Sequence, residues 1–306
     1  MSRYVTAALM TLMLFVLGCS SYKPSGESIA DVVRRGNPPV NKQDTYEQQA
    51  VLQRSLGEKY YSEDRYHLAI EEFSGAVEMS PGDVSAYEGL GRSYREIGEF
   101  DRAIEALNKG LALITTSSVS PIGARLHNTK AVTYDMMGRY EESLVEYENA
   151  TKQDPTNDSY YNNMGFSYLL QGQTDKAISA FKKALEINPA NKTTYTNLGY
   201  AYGSKGMYEL ALKNFKIAID EASAYNNMGY IYAEHGKLTD AIESYNNALK
   251  INPKQHTTYY NKGMAYELLG DIGNAIQAYQ EFIKQTTDVS AAEDAFNRIH
   301  ALKKQS

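Results

Sequence analysis

The chain contains no tryptophan and a single cysteine, Cys19, among its 306 residues. One thiol excludes any disulfide within the chain. The histidines, His67, His127, His235, His256 and His300, show no metal-ligand spacing. No phosphate loop, nucleophile elbow or HExxH sequence occurs, so an enzyme reading finds no inventory. Neither zinc nor a nucleotide is expected, and no cofactor is called for. There is also no long basic run, and the net charge is −6 with signs mixed. Nucleic acid binding is therefore disfavoured, because tracking a phosphate backbone takes clustered Lys and Arg. Carboxylates are plentiful, but they fall on helix surfaces, where a solvated face is the default.

What the chain has in excess is tyrosine, with 26 residues. Seven times a glycine or alanine is followed three residues later by tyrosine: Gly57/Tyr60, Gly91/Tyr94, Ala131/Tyr134, Gly165/Tyr168, Gly199/Tyr202, Gly229/Tyr232 and Gly263/Tyr266. The small residues are 34, 40, 34, 34, 30 and 34 positions apart. A period near 34 marks a repeat architecture, in which one unit cannot bury its apolar face alone and must stack on its neighbours.

Each repeat reads as two helices. In residues 158–191, Tyr161, Met164, Gly165 and Tyr168 share one helical face. Gly172 ends the first helix, where a left-handed residue is needed, and Gly98, Gly138, Gly206, Gly236 and Gly270 stand at the same place. The first repeat has Asp64 there, which tolerates that region better than most residues. Ala177, Phe181 and Ala184 mark the second helix, and Asn188-Pro189 ends it. These residues resemble the tetratricopeptide repeat, W-x₂-L-G-x₂-Y, then A-x₃-F, then P. Leu56-Gly57, Leu90-Gly91 and Leu198-Gly199 keep its Leu-Gly step; Ala69/Phe73, Ala177/Phe181 and Ala211/Phe215 match its second element; Pro81, Pro155, Pro189 and Pro253 close it. The resemblance implies an all-α fold, an α-solenoid of about seven helix-turn-helix repeats over 45–289. The repeats fall near 50–83, 84–117, 124–157, 158–191, 192–221, 222–255 and 256–289.

Two joints depart from the period. Six extra residues between Leu111 and Leu126 predict a polar loop that loosens repeat two from repeat three. Four missing residues around Asp220 to Ser223, about one helical turn, predict a shortened second helix or a tightened turn. At Phe282 a position that is small in the other repeats becomes large, as if no neighbour constrained it. Residues 290–306 read as a capping helix and tail. Val289, Ala292, Phe296, Ile299 and Leu302 form its apolar face, and Ser290 and Glu293 have capping-box spacing.

At the other end, Arg3 precedes an apolar stretch from Val5 to Leu17 that is short for a membrane span. Val16-Leu17-Gly18-Cys19 resembles the bacterial lipobox. The resemblance implies a signal peptide over 1–18, lipidation of Cys19 and attachment to a membrane through that lipid. Ser20 fits outer-membrane sorting with the chain facing the periplasm. Residues 19–44, with Pro24, Gly26, Gly36, Pro38 and Pro39, read as a flexible tether. A plain signal peptide or an uncleaved anchor is the alternative.

Asn163, Asn197, Asn227 and Asn261 occupy the same place on the first helix of four consecutive repeats, two residues before the small one. Asparagine is a mediocre helix former, and its amide offers both donors and an acceptor. In the tetratricopeptide family that helix lines the concave side. The row resembles the asparagines that grip peptide backbone in chaperone-binding clamp domains and in the O-linked N-acetylglucosamine transferase superhelix. Phe166, Tyr200, Tyr230 and Met264, three residues on, are expected to face the same groove and pack ligand side chains. The alternative is ancestry, since Asn-Asn-Met-Gly recurs identically at 162–165 and 226–229. In the first three repeats the candidates are Arg54, Glu88, Arg92, Arg95 and Arg125, with Arg92, Arg95 and Arg125 as a carboxylate clamp; an ordinary charged surface is the alternative. The chain thus reads as a membrane-tethered adaptor that binds a protein or an extended peptide. The family also contains pilotin-like assembly factors for type IV pilus secretins, which is the second reading.

Overall fold

The computed structural model describes residues 42–114 and 120–304. Among them are fifteen α-helices and no strand. Two compact units divide the chain, one ending at Gly172 and the other starting at Gln173, inside the fourth repeat. The first holds α1 (Lys42–Ser62), α2 (Tyr66–Met79), α3 (Val84–Glu96), α4 (Phe100–Ala112), α5 (Pro121–Met136), α6 (Tyr140–Gln153) and α7 (Asp158–Leu170). The second holds α8 (Thr174–Ile187), α9 (Lys192–Ser204), α10 (Tyr208–Ala218), α11 (Glu221–Glu234), α12 (Leu238–Ile251), α13 (His256–Leu269), α14 (Ile272–Gln285) and α15 (Val289–Lys303).

The glycine–tyrosine pairing has a backbone cause. Gly98, Gly138, Gly206, Gly236 and Gly270 take φ between 73 and 82 except Gly236 at 71, and Asp64 takes 58. The left-handed step lets the next amide fold back onto the carbonyl of the repeat tyrosine: Glu99 N–H donates to Tyr94, Arg139 to Tyr134, Met207 to Tyr202, Lys237 to Tyr232 and Asp271 to Tyr266, each at 2.9 Å. The same tyrosine thus packs with its ring and closes the helix with its carbonyl.

The small residues admit the rings of the partner helix. In the first unit Phe73 is fully buried among Ala69, Ala76, Ala86 and Leu90. A methyl added at Gly57 would stand 2.8 Å from that ring. In the second unit Phe215 fits against Gly199, Tyr245 against Gly229 and Tyr279 against Gly263. A side chain at these glycines would force the two helices apart.

Four expectations are revised in detail. Helix is already present at Lys42, the first described residue, three before the predicted Thr45. Part of the insertion before Leu126 lengthens α5 to 16 residues, capped by Ser120 Oγ on Gly123 N–H with Pro121 opening the helix. Leu126 is fully buried against Gly110, so repeats two and three stay packed. The predicted polar residues Thr115 to Ser118 lie outside the described ones. The α15 cap is Asp288, whose carboxylate accepts from Ala291 N–H at 3.0 Å, and Ser290 lies inside the helix. The face that α15 buries is Ala295, Ile299 and Leu302, packed on Ala275, Tyr279 and Phe282, while Val289 and Phe296 are 80% and 62% exposed. Phe282 is large because α15 covers it. At the short joint α10 has 11 residues, against 14 in α12, as the missing turn requires.

Candidate binding surface on the first helices

In the first unit α1, α3, α5 and α7 are the first helices of their repeats; in the second these are α9, α11 and α13. Neighbouring first helices touch, α3 with α5 and α5 with α7 in one unit, and α9 with α11 and α11 with α13 in the other. Side chains at equivalent repeat positions are thereby brought into rows within each unit.

The asparagine row divides into two kinds. Asn163 Nδ2 donates to Asn128 Oδ1 at 3.0 Å, joining α7 to α5, and its Oδ1 accepts from Asn162 Nδ2 at 3.4 Å. Asn261 Nδ2 donates to Asn226 Oδ1 at 3.1 Å, joining α13 to α11, where Thr258 Oγ1 also donates at 3.1 Å. These amides therefore stitch consecutive repeats together. Asn197 is 2% exposed and engaged within the protein. Asn227 differs: it is half-buried, and its side chain makes no hydrogen bond among the described residues. The stitching partners, Asn128 and Asn226, stand three residues before Ala131 and Gly229. Their signal was present as a second asparagine column one place upstream of the first.

Beside the amides, Phe166 is half-buried and Met264 is 37% exposed. Tyr200 meets Phe215 edge-on, with ring centroids 5.0 Å apart. Tyr230 donates its hydroxyl to Glu234 Oε1 at 2.7 Å.

Each of the three arginines is already paired with a carboxylate of the chain. Arg92 Nη2 holds both carboxylate oxygens of Glu58 on α1, at 2.7 and 2.6 Å, and lies 4.5 Å from the Tyr61 ring centroid. Burial opposes its charge, but Glu58 and Glu88 outweigh it and raise its pKa. Arg95 is paired with Glu96 at 2.5 Å. Arg125 Nε reaches both oxygens of Glu88 at 3.2 and 3.0 Å, and Arg54 holds Asp83 at 3.0 Å. Glu58 and Glu96 escaped the sequence reading because single acids on a helix carry no signal until the register between helices is known.

A buried acid, Glu146, and a half-buried one, Asp135, complete the first unit. Glu146 accepts from His127 Nδ1 at 2.6 Å and Lys130 Nζ at 2.7 Å. Burial acts to raise its pKa, and the bonds from His127 and Lys130 bring it below the usual carboxylate range. Asp135 accepts from Tyr147 Oη at 2.9 Å and Ser167 Oγ at 2.8 Å, yet burial prevails and its pKa is raised. Among the described residues no group of His, Cys, Asp and Glu is placed to hold a metal ion, and no helix is long and apolar enough to cross a membrane. Cys19 lies outside the described residues.

Within each unit, paired helices, joined at a left-handed residue that is glycine in all but the first pair and packed through small-residue contacts, define a helical-hairpin repeat protein. The family models agree. TPR repeat models match residues 136–172 and 229–270, and tetratricopeptide repeat models match 55–117, 159–191, 180–213 and 256–287. The chain is a tetratricopeptide repeat protein. It is similar to Hsp70-Hsp90 organizing protein 3 of Arabidopsis thaliana, at 23% identity over 108 residues, covering 35% of this chain and 18% of that protein. The chain therefore spans less than a fifth of that relative's length. A tetratricopeptide repeat protein from Parabacteroides merdae shares the fold with a TM-score of 0.59 and 15% identity, over 82% of this chain and 98% of that one. PilF of Pseudomonas aeruginosa does so with a TM-score of 0.55 and 17% identity, over 70% and 95%.

Proposed function

We propose that the chain is an adaptor that binds an extended peptide or protein segment along its first helices and is held to a membrane by lipid on Cys19. The observation that carries the binding reading is Asn227, an amide in the helical row that costs helix stability and whose side chain makes no hydrogen bond among the described residues. Its helix, α11, also carries Tyr230 and touches α9, which carries Tyr200, and α13, which carries the exposed Met264. An amide there meets the donors and acceptors of a peptide backbone whatever its sequence. The lipobox-like Val16-Leu17-Gly18-Cys19 supports anchoring, and Ser20 supports an outer-membrane address facing the periplasm. Two or more acyl chains form a stable anchor, at about 0.8 kcal/mol per buried CH₂.

The test is capture of partners from intact cells by crosslinking, with the wild-type chain and with Asn227→Ala. Retention by the wild type and loss in the variant, at unchanged folding, is the result expected. Recovery of secretin subunits in place of soluble envelope enzymes would turn the reading toward a pilotin-like assembly factor.

A further inference from the structure

Tyrosine, carboxylate and cation recur together in this protein. Near the end of the second unit Tyr260 Oη donates to Asp294 Oδ2 at 2.5 Å and Tyr279 Oη donates to Glu267 Oε2 at 2.6 Å. Arg298 completes both pairs, 3.0 Å from Asp294 and 3.3 Å from Glu267. Lys216 serves Glu221 at 2.5 Å and the Tyr225 ring at 4.7 Å. In the first unit Arg102 serves Glu99 at 2.6 Å and Tyr94 at 4.5 Å, and Arg139 serves Glu142 at 2.7 Å and Tyr134 at 4.6 Å. The physical reason is common to all: a phenol ring face and a carboxylate both favour a positive charge beside them.

One such cluster has no cation. Tyr230 Oη donates to Glu234 Oε1 at 2.7 Å, and Glu234 is exposed and forms no ion pair among the described residues. Tyr200 stands on α9, which touches α11, and the ring of Tyr245 on α12 is buried against Gly229, one residue before Tyr230. The Tyr200 and Tyr245 hydroxyls make no hydrogen bond among the described residues. The hydroxyls of Tyr200, Tyr230 and Tyr245 have raised pKa values, by burial first and then by Glu234, through its hydrogen bond to Tyr230 and through its charge on the other two. Tyr200 and Tyr230 are half-buried, so each ring keeps part of its surface open. The same helical position in other repeats carries Ser62, Met136, Leu170, Ser204 and Leu268, or Glu96, which is neutralised by Arg95. Glu234 alone among them is an acid left without a counter-ion.

We propose that Tyr200, Tyr230 and Glu234 form a subsite for a basic side chain of the bound segment, an ammonium or guanidinium taking the place that Arg298 takes elsewhere. This rests on the reading of the first helices as the binding surface, and it specifies the ligand: a peptide with Lys or Arg at the stretch that crosses α9 and α11. The free Glu234 Oε2 accepts the cation's hydrogen bond, and the ring faces contribute cation–π attraction.

The experiment is calorimetric titration of the purified full chain with trilysine and with its fully Nε-acetylated form. Trilysine is expected to bind and the acetylated peptide not to. Glu234→Gln is expected to weaken trilysine by about two- to fivefold, the scale of one exposed ion-pair contact. Glu293→Gln, which removes the same charge from the exposed face of α15, is expected to leave it unchanged. Equal binding of both peptides, no binding of trilysine, or equal loss in the two variants overturns the proposal. Glu234 is exposed, so its variant folds; a matching thermal midpoint verifies this. Partner capture run in parallel separates the two readings. Capture lost in Asn227→Ala but kept in Glu234→Gln removes the cation subsite alone, and capture indifferent to Asn227→Ala removes the surface itself.

Discussion

Asn163 and Asn227 occupy the same repeat position, yet their substitution by alanine should have opposite effects on stability. Both gain about 0.5 kcal/mol from the better helix propensity of alanine. Asn163→Ala also loses the 3.0 Å bond to Asn128. That bond contributes about 1 kcal/mol, and the half-buried Asn128 oxygen left behind adds about 1 kcal/mol more. The net is a destabilisation of about 1 to 1.5 kcal/mol. Asn227→Ala has no such bond to lose, so it should be neutral or more stable by about 0.5 kcal/mol. For a chain of this size 1 kcal/mol is about 2–4 °C in Tm. Because the chain forms two compact units, calorimetry should be joined by amide exchange, which reads α5 and α7 separately from α9 and α11. Asn163→Ala should speed exchange in α7, and Asn227→Ala should leave α11 as protected as before. If Asn227→Ala destabilises as much as Asn163→Ala, Asn227 is a structural residue and the argument from its idle amide fails.

Gly91→Ala should destabilise despite improving helix propensity, because the new methyl would stand 2.5 Å from Leu107 Cγ, whose side chain is fully buried. Overpacking of about 1–3 kcal/mol exceeds the propensity gain of about 1 kcal/mol, whereas Gly82→Ala, with nothing within 4 Å, should change stability by no more than about 0.5 kcal/mol in urea unfolding. Asp135 and Glu146 should titrate in opposite directions from the ordinary carboxylate range, followed by carboxyl ¹³C shifts. Asp135 holds its proton more tightly folded than unfolded, so its contribution to stability falls as pH rises from the ordinary range through its raised folded value; Glu146 holds its proton less tightly, so its contribution is lost as pH falls through the ordinary range to its depressed folded value. Cys19→Ala should move the protein from the membrane to the soluble fraction on cell fractionation, and a protein that stays membrane-bound would exclude lipidation as the anchor.

The repeat, its two helices and their glycine stops were legible because each has a local cause. A left-handed C′ residue, a small residue opposite a ring, and proline after a helix all act within a few positions of the chain. The shortened α10 followed from a missing turn. Contacts between repeats were less legible. The Arg92–Glu58 and Asn163–Asn128 pairs join residues 34 and 35 apart, and nothing local distinguishes a side chain that reaches the next repeat from one that reaches a ligand. The C-terminal helix shows a second limit. A helical wheel through Val289, Ala292, Phe296, Ile299 and Leu302 is periodic, but the large Phe282 and Tyr279 beneath α15 leave room for Ala295 where the wheel places Phe296.

The central claim is that ligand lies on the first helices, and a photoreactive amino acid tests it most directly. Placed at Met264, 37% exposed on α13, or at Ile217, 46% exposed on the second helix α10, it samples two accessible apolar positions on opposite kinds of helix. Irradiation of intact cells should crosslink a partner through position 264 and none through position 217. Crosslinks formed through 217 alone, or equally through both, would contradict the assignment of binding to the first helices.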